Sequence, residues 1–558
     1  MRPLLRHAAL AAAGCCALAL AACGKHVAPN APVTWAPADT PYLIADLEGV
    51  PADVLDAWTN GPLVSAQIEK LGQFAELIGP KDPEIAKVLD AIHAELANVH
   101  SSKELAQTIG LSPSRLFAVY GVGDVPVARY ELASPAAFKA FWARVEKRAG
   151  IAAPIATLDN QSYWVVGGAD SKLHLLVAVA GDQLVVTVAP ANASPTMLKQ
   201  LLGLTKPVRN AVDRIANIDS RQGYLASGAS GYVDLPKLFA NLYDGKDAIT
   251  QEFTKDLGGS LANPACTTEF QSLASQVPLI SGGMKTYTAK EASGSVDVQL
   301  AAPLLGALSA LKQPVPGMNE SGDHSMFDMV LALPVQKWQD FIKGRAEAAA
   351  ARTYKCPALH SLNDFAKTAA NPPVQLPPET VSFLGFRVVL DKWDIGPQIA
   401  GRALVASSNP TELAQRIQQT LPQFALKTIP SDGKPVAFDL PPRLQAMLGG
   451  GSQGWIAANA NALAVGVGDG EDAKLSGTLD APAGNGDKLL RMHFDGKMYQ
   501  LLASWMGRLS AMVPAEKQPE LQQQVETLDA MSKMIDSGGV DARLDDKGLH
   551  FEADVKHR

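Results

Sequence analysis

Leu173-His174-Leu175-Leu176-Val177-Ala178-Val179-Ala180-Gly181-Asp182-Gln183-Leu184-Val185-Val186-Thr187-Val188-Ala189 is the stretch whose reading decides the fold. Two aliphatic, β-branched runs flank Gly181-Asp182, a pair suited to a tight reversal. The stretch therefore reads as an antiparallel hairpin, 173–180 against 183–189. The same interruption rules it out as a single membrane-spanning helix. Ser194-Pro195 follows, a capping residue and a proline at the first helical position, and Met197, Leu198, Leu201 and Leu202 then recur at helical spacing.

The unit just upstream has the same design. Residues 115–120 and 125–132 read as strands joined through Gly121-Val122-Gly123-Asp124, and Ser134-Pro135 opens a helix carrying Phe138, Phe141, Trp142 and Val145. Further out, Tyr42 begins a strand–helix unit, Gly231-Tyr232-Val233-Asp234-Leu235-Pro236 another, and 284–300 a hairpin. The order then recurs. Phe327 to Pro334 is a strand entering a helix, and 386–417 a hairpin and helix, with Asn409-Pro410 in the place of Ser134-Pro135. Hairpins at 424–440 and 455–466 follow, then a strand–helix turning at Asp495-Gly496, and a last hairpin at 540–555.

This repetition predicts an α+β fold of two tandem, duplicated halves, built from antiparallel hairpins with helices packed on one face of each sheet. Tyr42, Phe117 and Tyr232 of the first half would correspond to Asp328, Phe386 and Met492 of the second. The expected division is 1–22 signal peptide, 23–38 proline-rich tether, 39–312 first half, 313–325 linker and 326–558 second half. At 558 residues the chain exceeds what one hydrophobic core usually supports, which agrees with two halves.

Apolar content of 47% and charged content of 19% are those of a globular protein. The formal charge is −7, and no lysine or arginine cluster stands out. That balance argues against nucleic acid as a partner and against adhesion through a broad basic patch.

The amino terminus sets the expected compartment. Arg2 and Arg6 precede an apolar run from Ala8 to Leu20, and Leu20-Ala21-Ala22-Cys23 closes it. This pattern resembles the lipobox of bacterial lipoproteins. The resemblance implies a diacylglyceryl thioether at Cys23, cleavage before it, and acylation of the new amino terminus. Two or three acyl chains hold a protein stably where one does so marginally, at about 0.8 kcal/mol per buried CH₂. Gly24, rather than Asp, follows the cysteine, which by resemblance to lipoprotein sorting implies the outer membrane, facing the periplasm. Pro29, Pro32 and Pro37 with no periodic pattern predict an extended tether behind the anchor.

Catalytic strings are few and ill-placed. Gly450-Gly451-Ser452-Gln453-Gly454 satisfies G-x-S-x-G, but a nucleophile elbow needs a strand before Ser452 and a helix after it, and here the order is reversed. Gly466-Val467-Gly468-Asp469-Gly470 lacks the spacing of a dinucleotide loop and reads as a turn. His93 and His100 share a predicted 82–100 helix face, about 10.5 Å apart along the axis, too far to share one metal without further ligands. Ser309-Ala310-Leu311-Lys312 has no partner strings. Trp58, Phe141, Trp142, Trp338, Phe341 and Trp505 lie among apolar residues and are expected in the core. No catalytic residue, cofactor or metal is expected.

Cys266 and Cys356 are the two cysteines left once Cys15 and Cys16 depart with the signal and Cys23 carries lipid. In an oxidising compartment they are expected to form a disulfide joining the two halves. Two free thiols, or a metal site using His360, are the alternatives.

Ala38-Asp39-Thr40-Pro41-Tyr42 and the strand–helix body resemble uncharacterised bacterial lipoproteins and DUF3352-type envelope proteins. The resemblance covers mainly the mature N-terminal third and implies an envelope lipoprotein with no catalytic residues to carry over. The expected function is a non-enzymatic scaffold or binding role, with another envelope protein as partner. The alternatives are a periplasmic carrier of lipid or another apolar ligand, and a serine hydrolase at Ser452.

Overall fold

The computed structural model describes residues 27–59, 62–80, 82–112, 116–168, 170–258, 263–321, 325–370, 382–393, 399–420, 429–442, 445, 453–510, 513–514, 516 and 518–558. A 3-10 turn at Pro32–Trp35 precedes β1 (Tyr42–Ala45). Helices α1 (Ala52–Trp58), α2 (Pro62–Ile78), α3 (Pro83–Leu96) and α4 (Ser102–Ile109) follow. Then come β2 (Phe117–Val122), β3 (Val125–Glu131), α5 (Pro135–Ala149), β4 (Ile155–Leu158), β5 (Gln161–Val166), β6 (Leu173–Ala180) and β7 (Gln183–Pro190). The first half closes with α6 (Pro195–Leu202), α7 (Val212–Gln222), β8 (Ser230–Asp234), α8 (Leu235–Tyr243), α9 (Ala248–Gly258), α10 (Pro264–Ala274), β9 (Leu279–Tyr287) and β10 (Glu291–Gln299).

After α11 (Ala302–Ser309), the second half holds β11 (Phe327–Ala332), α12 (Val335–Ala350), α13 (His360–Ala370), β12 (Phe383–Trp393), β13 (Ile399–Ser407) and α14 (Pro410–Thr420). It ends with β14 (Val436–Phe438), β15 (Gly454–Ala458), β16 (Ala462–Val467), α15 (Glu471–Leu479), β17 (Lys488–Asp495), α16 (Lys497–Ser510), α17 (Gln518–Met534), β18 (Ile535–Leu544) and β19 (Gly548–His557). No helix among the described residues is long and apolar enough to cross a membrane.

The local signals act as chemistry requires. Ser134 and Ser194 accept hydrogen bonds from the Ala137 and Met197 amides at 3.1 and 3.2 Å, and Asn409 accepts one from Glu412 at 3.3 Å. Each cap satisfies one orphan amide of the first turn, and a proline supplies the next residue. Gly181 takes φ 64°, which the reversal between β6 and β7 demands and glycine supplies without strain. The predicted 82–100 helix ends at Leu96 and restarts at Ser102, whose preceding residue Ser101 accepts from Glu104 N at 3.1 Å.

Among the described residues every strand pairing is antiparallel, and together the strands form one continuous sheet. Its order is β4-β5-β6-β7-β3-β2-β1-β8-β9-β10-β19-β18-β17-β11-β12-β13-β16-β15-β14. β1 lies between β2 and β8 as β11 lies between β12 and β17. The halves meet where β10 pairs with β19, from Glu291 opposite Lys556 to Gln299 opposite Gly548.

Helices do not keep to one face, which corrects that part of the sequence reading. On β6 and β7, Leu176, Ala178 and Val185 face Met197, Leu201 and Ile215 of α6 and α7. Their neighbours Val177 and Leu184 face Phe138, Phe141 and Trp142 of α5, with Val88 and Leu96 of α3 behind. A strand buried on both faces has no polar register, hence the unbroken apolar run in 175–180. Phe141→Ala here costs about 3–5 kcal/mol, the penalty for a large cavity. β15 and β16 are covered likewise, Ala457 and Ala464 by Leu475 of α15, and Ile456 and Leu463 by Ala414 of α14.

Two segments read as spacers are packed structure. From Val27 the expected tether docks on the first half, with Val33 and Ala36 fully buried. In the expected linker, Val315 and Met318 are buried in the second half's core beside Val330. Proline breaks helical periodicity without preventing burial. Pro32-Val33 and Pro314-Val315 each insert one valine while carrying the chain toward β1 and β11.

Candidate functional site

The central strands carry their side chains the wrong way round for an ordinary sheet. Ile44, Gly231, Gly282, Val296 and Phe551 stand opposite one another across β1, β8, β9, β10 and β19. In this row Ile44, Val296 and Phe551 are 50%, 46% and 43% exposed. One residue along, on the other face, Ser230, Ser281, Ser295, Asp297 and His550 are buried. Successive side chains alternate faces, so β10 and β19 turn polar groups inward and apolar ones outward, whereas β1 buries Leu43 and Ala45 on that inner face.

The open face forms a groove of about 680 Å³, whose lining includes Ile280, Met284, Val540 and Val555. Glycine makes its floor. A Cβ on Gly282 would sit 3.5 Å from Val296 Cγ2, within the groove, and one on Gly231 would meet the Leu43 carbonyl at 2.4 Å. Among the described residues that line it, Glu552 alone is charged, and it pairs with Lys285 at 3.3 Å.

Asp297 centres a network on the buried polar face beneath, while Ser230 Oγ on the same face is buried without a hydrogen-bond partner among the described residues. Asp297 accepts from Tyr224 Oη and, at 2.8 Å, from Ser295 Oγ, and its other oxygen meets His550 Nδ1. The Nε2 of His550 lies 2.8 Å from Asp545 in the β18–β19 turn. Burial alone would push the Asp297 carboxyl up, but hydrogen bonds from Tyr224, His550 and Ser295 hold it below the usual carboxylate range. The Asp297 carboxylate tolerates burial because both of its oxygens have polar partners. The network can bear an apolar opposite face without the sheet turning over.

Of the residues singled out in sequence, Cys23 and Ser452 lie outside the described residues. Cys266 and Cys356 are bonded, S–S 2.04 Å, and pack with Leu359, Phe270 and Tyr354. They bring α10 of the first half to the segment before α13 of the second. His93 lies 3.2 Å from Glu69 of α2. Gly468 and Gly470 adopt positive φ, the latter starting α15, as turn residues do. Phe141 and Trp142 are core, whereas Trp505 is 58% exposed, contrary to expectation. Trp505 shares α16 with exposed Leu502, one turn away, so helical spacing alone did not tell which face was covered. The groove itself was missed. Ser293-Gly294-Ser295-Val296-Asp297-Val298 shows the alternation, but period-two reasoning assigns its valines to the interior.

No protein-family profile and no curated protein matches the chain. Among solved structures, crystal forms III and I of TP0453 are similar at low level. One has TM-score 0.24 and 12% identity over 51% of this chain and 88% of that one. The other has 0.23 and 14% over 51% and 86%. Likeness this faint carries no argument about fold or function.

Proposed function

We propose that the chain is a non-catalytic envelope lipoprotein, anchored by lipid on Cys23, that binds an apolar ligand on the open face of its central sheet. The observation that supports this is the inverted alternation of β10 and β19, beside the glycines of β8 and β9. Exposing valine and phenylalanine while burying serine, aspartate and histidine forfeits hydrophobic burial at about 25 cal/mol per Å². A groove of about 680 Å³ is also of ligand-binding size. The anchor reading rests on the Leu20–Cys23 pattern and places the protein at the periplasmic face of the outer membrane.

The same reading takes the two halves as a tandem duplication. β1 and β11 hold equivalent places between their neighbours, and the hairpins β9–β10 and β18–β19 meet back to back. On that account the groove arose at the join, where the last hairpins of both repeats pair.

Native mass spectrometry after gentle extraction tests the ligand, which should appear as apolar mass beyond the N-terminal lipid and vanish in Val296→Asp. A groove that stays empty, with unchanged uptake of a fluorescent fatty acid in Val296→Asp, favours a protein scaffold instead. Cys23→Ala should leave the precursor uncleaved. A variant still processed and lipidated sinks the anchor assignment.

A further inference from the structure

We propose that the loop at residues 205–209 is the part of the folded body that rests on the membrane, with Val208 entering the headgroup layer. This rests on the lipid anchor at Cys23 proposed above. What carries it is the place where the chain joins the body. Val27 packs on the first core, Asn30 gives its carbonyl to Gln183 Nε2, and Pro29 gives its carbonyl to Lys206 Nζ at 3.0 Å. Trp35 lies between Arg129 and Lys206, whose charged groups are 4.2 and 5.2 Å from its ring. The entry is therefore held rigidly against the loop.

Cys23 precedes Val27 by four residues, a reach of at most about 14 Å. Acyl chains on Cys23 thus bring the Pro29–Lys206 contact to the headgroups, and no long tether lets the body swing away.

The loop is built for that position. Ala38 N donates to the Arg209 carbonyl and Ala211 N to the Ala36 carbonyl, both at 3.0 Å, so the entry segment clamps it from one side. Val208 is 103% exposed, with exposed Lys206 and Arg209 around it. An apolar tip between two cations complements an anionic lipid surface, which attracts such charges. The acidic balance of the whole chain does not oppose this, because headgroup attraction is screened beyond roughly one Debye length.

The test compares two preparations on vesicles of phosphatidylethanolamine and phosphatidylglycerol. One is lipidated protein from membranes. The other is the chain from Cys23 onward, coupled through that thiol to a maleimide lipid. Acetylation by a water-soluble ester, read by mass spectrometry, should fall roughly threefold or more at Lys206 on coupling. It should hold steady at Lys434, next to β14 at the other edge of the sheet. Val208→Asp should lose much of the protection. Unchanged Lys206 reactivity in the coupled protein, or equal protection of Lys434, overturns the proposal. The intact mass of the membrane preparation reports lipid on Cys23 separately, so failure of the anchor and failure of the loop contact are told apart.

Discussion

His550 of β19 sets its Nδ1 against the Asp297 carboxylate of β10, directly across the seam where the two halves of the sheet meet. Removing either partner strands the other in a site under one-tenth exposed. Asp297→Asn should therefore cost about 2–4 kcal/mol at pH 7. The sign with pH follows from the depressed carboxyl. The native state holds Asp297 ionised more firmly than the unfolded chain does, so its contribution is complete above the usual carboxylate range. It is lost as pH falls through the lower native value. The gap between urea titrations of wild type and variant should begin to narrow below about pH 4 and close only below the depressed native value, and a constant gap down to acid would show that the network is not the source.

Asp124 makes the opposite prediction. Burial pushes its carboxyl up to about 7, the Asn241 hydrogen bond opposing and the charge of Asp247 adding to it, and one of its oxygens is buried without a donor. Between about pH 4 and 7 the native state keeps a proton that the unfolded chain releases, so stability falls as pH rises. Asp124→Asn keeps an oxygen for Asn241 and should be more stable than wild type at pH 8, by about 1–2 kcal/mol. Denaturant midpoints at pH 8 and pH 4 check this, since the gain must disappear at the lower value.

The Cys266–Cys356 bond closes a separation of 90 residues. Loop-closure entropy puts its stabilisation at up to about 4.5 kcal/mol. A Cys266→Ser, Cys356→Ser double variant should lose stability of that order without losing the groove. Non-reduced tryptic digests of the wild type should show the two peptides linked, and free alkylation of both thiols in protein taken directly from the envelope would exclude the bond.

Gly282 and Gly231 should part company on substitution. Alanine at 282 meets the Ser295 carbonyl at 3.3 Å and otherwise fills groove, so apolar-probe affinity should drop while the melting temperature moves little. Alanine at 231 collides with the Leu43 carbonyl and should destabilise β1–β8 pairing by more than 1 kcal/mol. Equal stability loss at both positions would mean that the groove floor is structural only.

What the sequence determined by itself is local, and its reasons are local too. Gly181-Asp182 reverses the chain because glycine accepts φ 64° without strain, and Ser134, Ser194 and Asn409 start helices because their side chains reach amides three residues on. The α+β class and most of the hairpins and helices were legible on those terms, but the hairpin expected at 424–440 lies partly outside the described residues and its strand β14 pairs with β15 instead; the Cys266–Cys356 pair was legible from the count of cysteines. Which face of each strand meets solvent was not. Period-two alternation says that Ser295 and Val296 lie on opposite faces, but only long-range pairing decides which face is inside. That decision rests on Tyr224 and His550, 71 residues before and 255 residues after Ser295, converging on Asp297. Proline-rich segments were equally ambiguous. Val33 and Val315 are buried because strands distant in sequence offer them a place, and no local propensity records that.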